Sequence, residues 1–194
     1  EGLEMEPVHR GLIQRVQFSN IWPRSSFGFH LNCSRPPFDN KDVRLGMQHS
    51  LNIQEVINSV FRGDYERMGS YFMGFGPYTN DKIKARPYSP EKAREYFARA
   101  GYTEEGGDGI LSRPDGTRLQ VVVSSRIDPL YANCMNLLRE DAAACGLDLR
   151  FEQMDDTVFF SKMKEKNYTA GIFSWGFSPI MPAPSLFFLS QFAY

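Results

Sequence analysis

The sequence predicts an α/β fold, and three observations carry the prediction. Residues 119–174 run strand, helix, strand, helix, strand, the rhythm of parallel strands joined by right-handed crossovers. Upstream, Phe27, Phe29 and Leu31 alternate with Gly28 and His30 at the period of two expected of a half-buried strand. Between these regions stand clear helix starts, where Asn40, Asn52 and Ser89 can each cap the turn that follows. The 194 residues suffice for one domain with a sizeable core.

Taken in order, residues 1–10 read as a tail or linker and residues 11–194 as one unit. Residues 11–18 and 27–32 are strand candidates, with Ile13, Val16 and Phe18 supplying the apolar positions of the first. The stretch between them contains Trp22-Pro23 and reads as a loop. Asp39 or Asn40 caps the first helix, Asn52 caps the second, and Gly63 stops it. Residues 62–86 form an ordered connection with little regular structure, dense in aromatics and glycines. Ser89 followed by Pro90 starts the next helix cleanly, Pro being favoured at the first helical position, and Gly101 ends it. Pro114-Asp115-Gly116-Thr117 between two apolar runs predicts a hairpin joining 110–113 to 119–125. Asp128-Pro129 opens a helix that stops at Gly146. A strand over 147–153, a helix over 157–166 and a strand over 170–174 follow. The apolar run 185–194 reads as a cut end or as a surface that packs on something.

Bulk properties exclude several classes. Lys plus Arg number 22 against 23 Asp plus Glu, so no net field attracts nucleic acid or an anionic membrane. No apolar run approaches the roughly 18 residues of a membrane span. Residues 1–10 lack the basic start and apolar core of a signal peptide, so the chain reads as a piece of a longer protein. Cys33, Cys134 and Cys145 cannot all pair with one another. Cys134 and Cys145 fall about 16 Å apart on a continuous helix at roughly 1.5 Å per residue, beyond the ~7 Å reach of a disulfide. All three are expected to be free and buried.

Signals for catalysis are sparse. His9, His30 and His49 have no metal-ligand spacing with other donors, and no nucleophile elbow, Walker loop or zinc-protease motif occurs. Asp155-Asp156 reads as a helix cap with a first-turn charge, and the glycine-rich stretch around Asp108 lacks a calcium-loop pattern. No metal and no cofactor is expected. Open α/β sheets gather ligands outside the carboxyl ends of their strands. Here those ends carry Ser124, Ser125 and Arg126, then Gln153, Met154 and Asp155, then Ser174, Trp175, Gly176 and Phe177. Such a rim offers hydroxyls, an amide, one cation, one carboxylate and an aromatic platform, but no nucleophile–base pair. Arg126 in a surface ion pair and Trp175 in the core are the structural alternatives to ligand contact.

Residues 35–63, with Pro36-Pro37-Phe38 and Val43-Arg44 entering two successive helices, followed by the compact helix of 88–102, resemble the extracellular solute-binding proteins of peptide- and nickel-type ABC importers, family 5. The hairpin around Pro114-Asp115-Gly116, the Leu137-Leu138-Arg139-Glu140 helix and the strand ending at Ser174-Trp175 extend the resemblance over about 27–184. It implies a non-enzymatic, two-lobed clamp of the type II periplasmic-binding-protein fold, of which this chain is the C-terminal-side lobe, a mixed sheet whose β-α-β-α-β half is flanked by helices. It further implies a peptide or peptide-like ligand, an inner-membrane ABC permease, a missing N-terminal lobe, and a periplasmic or lipoprotein-anchored location. By the same resemblance Phe27, Phe29 and Asn32 lie on the strand that lines the cleft, and Trp175 through Ser178 run beside the bound peptide. Oligopeptide-binding members commonly place Asp three residues after that Trp to hold the ligand's amino group; here the position is Ser178. Arg67 with Ser70-Tyr71-Phe72 looks closer to the branch of microcin C-type peptide-binding proteins. The expected ligand-binding set is thus Phe27, Phe29, Asn32, Ser125, Arg126, Asp155, Trp175, Gly176, Phe177 and Ser178. Two other readings compete: the ligand-sensing domain of a regulator, and a small α/β hydrolase that would need a Ser–His pair at the carboxyl edge.

Overall fold

The computed structural model describes residues 5–14, 16, 26–70 and 73–175. Its elements are α1 (Glu6–His9), β1 (Ser26–Leu31), α2 (Lys41–Ser50), α3 (Ile53–Ser59), a 3-10 turn (Gly76–Tyr78), α4 (Pro90–Arg99), β2 (Glu104–Glu105), β3 (Leu111–Ser112), β4 (Gln120–Arg126), α5 (Pro129–Ala144), β5 (Asp148–Met154), α6 (Asp156–Lys164) and β6 (Ala170–Trp175). Five helices begin on the side-chain caps that the sequence offers. Asn40 accepts from the Asp42 amide at 2.8 Å, Asn52 from Glu55 at 3.3 Å and Ser89 from Lys92 at 3.3 Å. Asp128 accepts from Leu130 at 2.8 Å and Asp155 from Val158 at 3.1 Å. Each such cap contributes about 1 kcal/mol and fixes where its helix starts.

The main sheet has the order β1-β6-β4-β5, with β4 parallel to both β5 and β6 and β1 antiparallel to β6. His30, Gly171, Ser124 and Glu152 stand in one row across it, so their side chains share one face. Ser124 Oγ donates to Glu152 at 2.6 Å, and Lys162 of α6 reaches the same carboxylate. On the other face Phe27 stacks on Tyr131 of α5. The two crossover helices therefore lie on opposite faces, which makes the sheet doubly wound about β4. Burial of β4 on both sides explains its run of Val121, Val122 and Val123.

The core lies on the α5 face, where Phe38, Val43, Met135, Leu138 and Ile172 are almost fully buried. The α2–α4 contact depends on Gly46: a Cβ there would sit 2.4 Å from Cε1 of the buried Phe97 ring. Without that side chain the ring lies directly on the α2 backbone.

Some expectations are corrected. Residues 11–14 and 16 form no strand; Leu12 donates its amide to Pro7 O instead, and Leu12, Ile13 and Val16 stay exposed. An alternating pattern makes a strand only when a neighbour supplies the ladder, and none of the described strands pairs with these residues. Part of the segment read as tail forms the short α1. The turn at Pro114-Asp115-Gly116-Thr117 forms, with Gly116 donating to Arg113 at 2.9 Å, and its arms are joined by the Ser112–Arg118 bridge and by bonds from Arg113 to Thr117 and from Leu119 to Leu111. Beyond Leu119 the second arm continues into β4 of the main sheet, and β3 also pairs with β2, which the sequence does not signal. Cys134 and Cys145 are free and buried, and burial pushes both thiols up to about 11. Cys33 is free but exposed, because the chain has already left β1 for the loop. The apolar run 185–194 lies outside the described residues.

Acid should weaken the sheet. Burial raises the Glu152 carboxyl, but the bonds from Lys162 and Ser124 outweigh it and hold it below its ordinary 4.5. Asp148 likewise is raised by burial and brought below 3.8 by Gln120, Arg150 and Arg118. Carboxyls depressed on folding add stability above their unfolded values, and that stability is lost as pH falls through the folded values. Thermal melts should therefore drop progressively below about pH 4, and Glu152→Gln should flatten part of the drop. An unchanged pH profile in that variant would count against the assignment.

Candidate ligand-binding site

The chain leaves β4 in one direction to reach β5 through α5. It returns past β4 to reach β6 through α6. The point where the winding reverses lies between the carboxyl ends of β4 and β6, where the crossover helices leave a crevice. β6 projects beyond β4 there: Ser124 pairs with Gly171, and β6 continues four residues further to Trp175. The amino end of β1 reaches the same edge, since Ser26 pairs with Trp175.

The expected residues divide by the work they do. Arg126 presents its guanidinium at this edge, 3.2 Å from the exposed Asp156 carboxylate. A Tyr131 contact and then Asp156 raise it above its ordinary value, so it stays cationic. Ser125 is buried, and its hydroxyl donates to the Arg126 carbonyl at 2.7 Å. Asp155 caps α6. Gln153 donates to the carbonyls of Arg126 and Asp128, at 3.2 and 3.1 Å, and pins the loop between them. Ser125, Gln153 and Asp155 thus shape the rim, whereas Arg126 is the group with charge to offer. Ile127 and Val158, both exposed, add apolar surface beside it.

Phe27 sits near the rim with its ring stacked on Tyr131 at 5.4 Å and edge-on to Phe61 at 6.1 Å. Asn32 is at the wrong end. β1 runs antiparallel, so Leu31 pairs with Ala170 at the start of β6, and Asn32 lies beyond the edge opposite the rim. It is buried there, its amide donating to the carbonyls of Lys166 and Tyr168 at 3.0 Å each. That makes it a clip for the α6–β6 loop. The Trp175 backbone is in place at the rim, while Gly176, Phe177 and Ser178 lie outside the described residues.

Phe29, together with Phe27, lines a groove of about 540 Å³ along β1, bordered by Met47, Leu51, Ile53, Arg44 and Arg67. Nothing in the local pattern marks it, because α2, α3 and the irregular 67–70 stretch converge there only in three dimensions. Neither Ser124, Ser125 nor His49 forms the Ser–His pair that the hydrolase reading needs. Ser124 donates to Glu152 and Ser125 to a carbonyl, while His49 Nδ1 lies 2.8 Å from Pro87 O and its ring stacks on Tyr96. No group of three or more His, Cys, Asp or Glu among the described residues is arranged to hold a metal ion.

The described residues form a doubly wound lobe with a polar rim at its switch point. The family model "Bacterial extracellular solute-binding proteins, family 5 Middle" matches residues 12–192, and the chain belongs to that family. It is 28% identical over 148 residues to heme-binding protein A of Haemophilus influenzae, covering 74% of this chain and 25% of that protein. It is 22% identical over 139 residues to the nickel-binding periplasmic protein of Escherichia coli, covering 71% of this chain and 26% of that protein. The fold is that of the oligopeptide-binding protein AppA from Bacillus subtilis in complex with a nonapeptide. The TM-score is 0.74 at 20% identity, over 84% of this chain and 33% of that one. The chain thus spans a quarter to a third of the relatives it matches.

Proposed function

We propose that this chain is the C-terminal-side lobe of a two-lobed receptor that captures peptides or peptide-like solutes outside the inner membrane and delivers them to an ABC permease. The observation that supports it most is the switch point between β4 and β6, where Arg126 and the end of β6 meet at one edge of the sheet. Hinge closure of a second lobe over this edge would exclude water from the ligand and strengthen each polar contact. The work is binding, without catalysis, cofactor or nucleic acid, in the periplasm or on a lipid-anchored protein at the cell surface. The relatives take ligands as different as heme, nickel and a nonapeptide. A peptide-class ligand is favoured because an open-ended strand edge with one cation suits an extended backbone better than a compact metal. Ser178 in place of an acid gives no charge-assisted bond to a ligand's amino group, so selection falls on the ligand's backbone and carboxylate.

Calorimetry tests this directly. The two-lobed protein should bind peptides on the order of 100-fold more tightly than this lobe alone, because the lobe leaves much of the ligand in water. Trp175→Ala in the two-lobed protein should weaken binding more than it lowers thermal stability. Micromolar capture by the lobe alone, or a large loss of stability with affinity unchanged, would refute the assignment.

A further inference from the structure

The groove along β1 is unlike the rim. Phe29, Leu31, Met47, Leu51 and Met68 give it an apolar lining, two arginines border it, and no Asp or Glu does. The two cations differ in their surroundings. Arg44 is occupied, its Nη1 donating to the carbonyls of Phe38 and Asp39. Arg67 has no hydrogen-bond or ion-pair partner among the described residues, and burial pulls its guanidinium below its ordinary value. Its half-buried side chain presents a planar fork of N–H donors to an apolar concavity.

The backbone holding Arg67 is fixed. Two residues on, Gly69 lies so close to the 83–85 segment that a Cβ would fall 2.5 Å from the Ile83 carbonyl oxygen. The Gly69 amide is also 3.4 Å from the Met73 sulfur. Arg67 is therefore held at the groove by a backbone that is closely packed two residues on.

We propose that this groove binds a small amphipathic carboxylate, its apolar body along β1 and α2 and its carboxylate on Arg67. A planar guanidinium with a free fork of donors matches a carboxylate in two parallel bonds. Of the two cations only Arg67 has its fork of donors uncommitted to the backbone, which favours one bidentate carboxylate. The volume of about 540 Å³ falls within the range of small-ligand sites. The site meets the rim at Phe27, but its cation and its apolar floor come from α2 and the 67–70 stretch, so it goes beyond the transport reading and needs no second lobe.

Titration of the 194-residue chain with decanoate and, in parallel, with decanamide tests it, following backbone amide shifts by NMR. Decanoate should give saturable shifts at Leu31, Met47 and Met68, and decanamide should bind about tenfold more weakly. Arg67→Met should reduce decanoate to the affinity of the amide and leave the amide unchanged, and Arg67→Lys should restore part of the difference. The comparison of the two probes on the wild-type chain stands whether or not the variants fold. Equal affinity for both probes, no saturable shift with either, or decanoate shifts centred on Arg126 would each overturn the proposal. None of these outcomes touches the transport reading, which is decided by peptide affinity in the two-lobed protein.

Discussion

Replacing Gly146 by alanine should destabilise the fold by about 3 kcal/mol, because two costs of the same sign meet there. The residue ends α5 with φ at +85°, a left-handed conformation that costs an L side chain about 1–2 kcal/mol. A Cβ would also lie 2.5 Å from Leu111 Cγ and 2.8 Å from its Cδ1. Leu111 cannot step aside, since it is buried and its amide is bonded to the Gly146 carbonyl at 2.8 Å. Overpacking of that kind costs about 1–3 kcal/mol. In a chain of this size the sum corresponds to roughly 6–12 °C in Tm. Gly63→Ala is the control: its φ is +78°, but nothing lies within 4 Å of the added carbon, so about 1 kcal/mol of backbone strain is all it should cost. Equal losses in the two variants would remove the steric half of the argument.

The same Gly146 illustrates what is legible in a sequence. That a glycine ends this helix follows from local chemistry, as do the caps at Asn40, Asn52, Ser89, Asp128 and Asp155, each set by a few adjacent residues. The three parallel strands were likewise legible, because their apolar runs and intervening helices have fixed lengths. That Leu111 seats against Gly146 was not, since the partners are far apart in the chain. The direction of β1 was hidden for the same reason. Its alternation says that Phe27 and Phe29 share a face, but not which end of the sheet the strand enters. Asn32, placed at the cleft by resemblance, therefore lies at the opposite edge. The rim residues were found because strand ends are local features, yet their roles were not. Only the hydrogen bonds reveal that Ser125 and Asp155 serve the backbone while Arg126 faces a carboxylate it could exchange. Arg67 carried no signal of a groove, being one cation in an irregular stretch.

In the two-lobed protein, Arg126→Ala should reduce affinity for carboxylate-bearing ligands by about 10–100-fold, with stability changed by less than about 1 kcal/mol. Both partners of the Arg126–Asp156 pair are substantially exposed, at 38% and 65%. Water screens such pairs, and they contribute about 0–1 kcal/mol to folding. In the proposed two-lobed receptor, closure of the second lobe would change the surroundings of that guanidinium while leaving its geometry alone. With water excluded, its bond to a ligand carboxylate gains the strength of a charge-assisted contact, roughly 1.5–3 kcal/mol. Asp156 competes for the same donors until then, so Asp156→Asn should hold or raise affinity. The two substitutions remove the same ion pair but should have opposite effects on binding, which separates a ligand contact from a structural one. Calorimetry and thermal melts on both variants read the difference. Equal loss of affinity in both would assign the contact to the pair, and no loss in Arg126→Ala would take Arg126 out of the site.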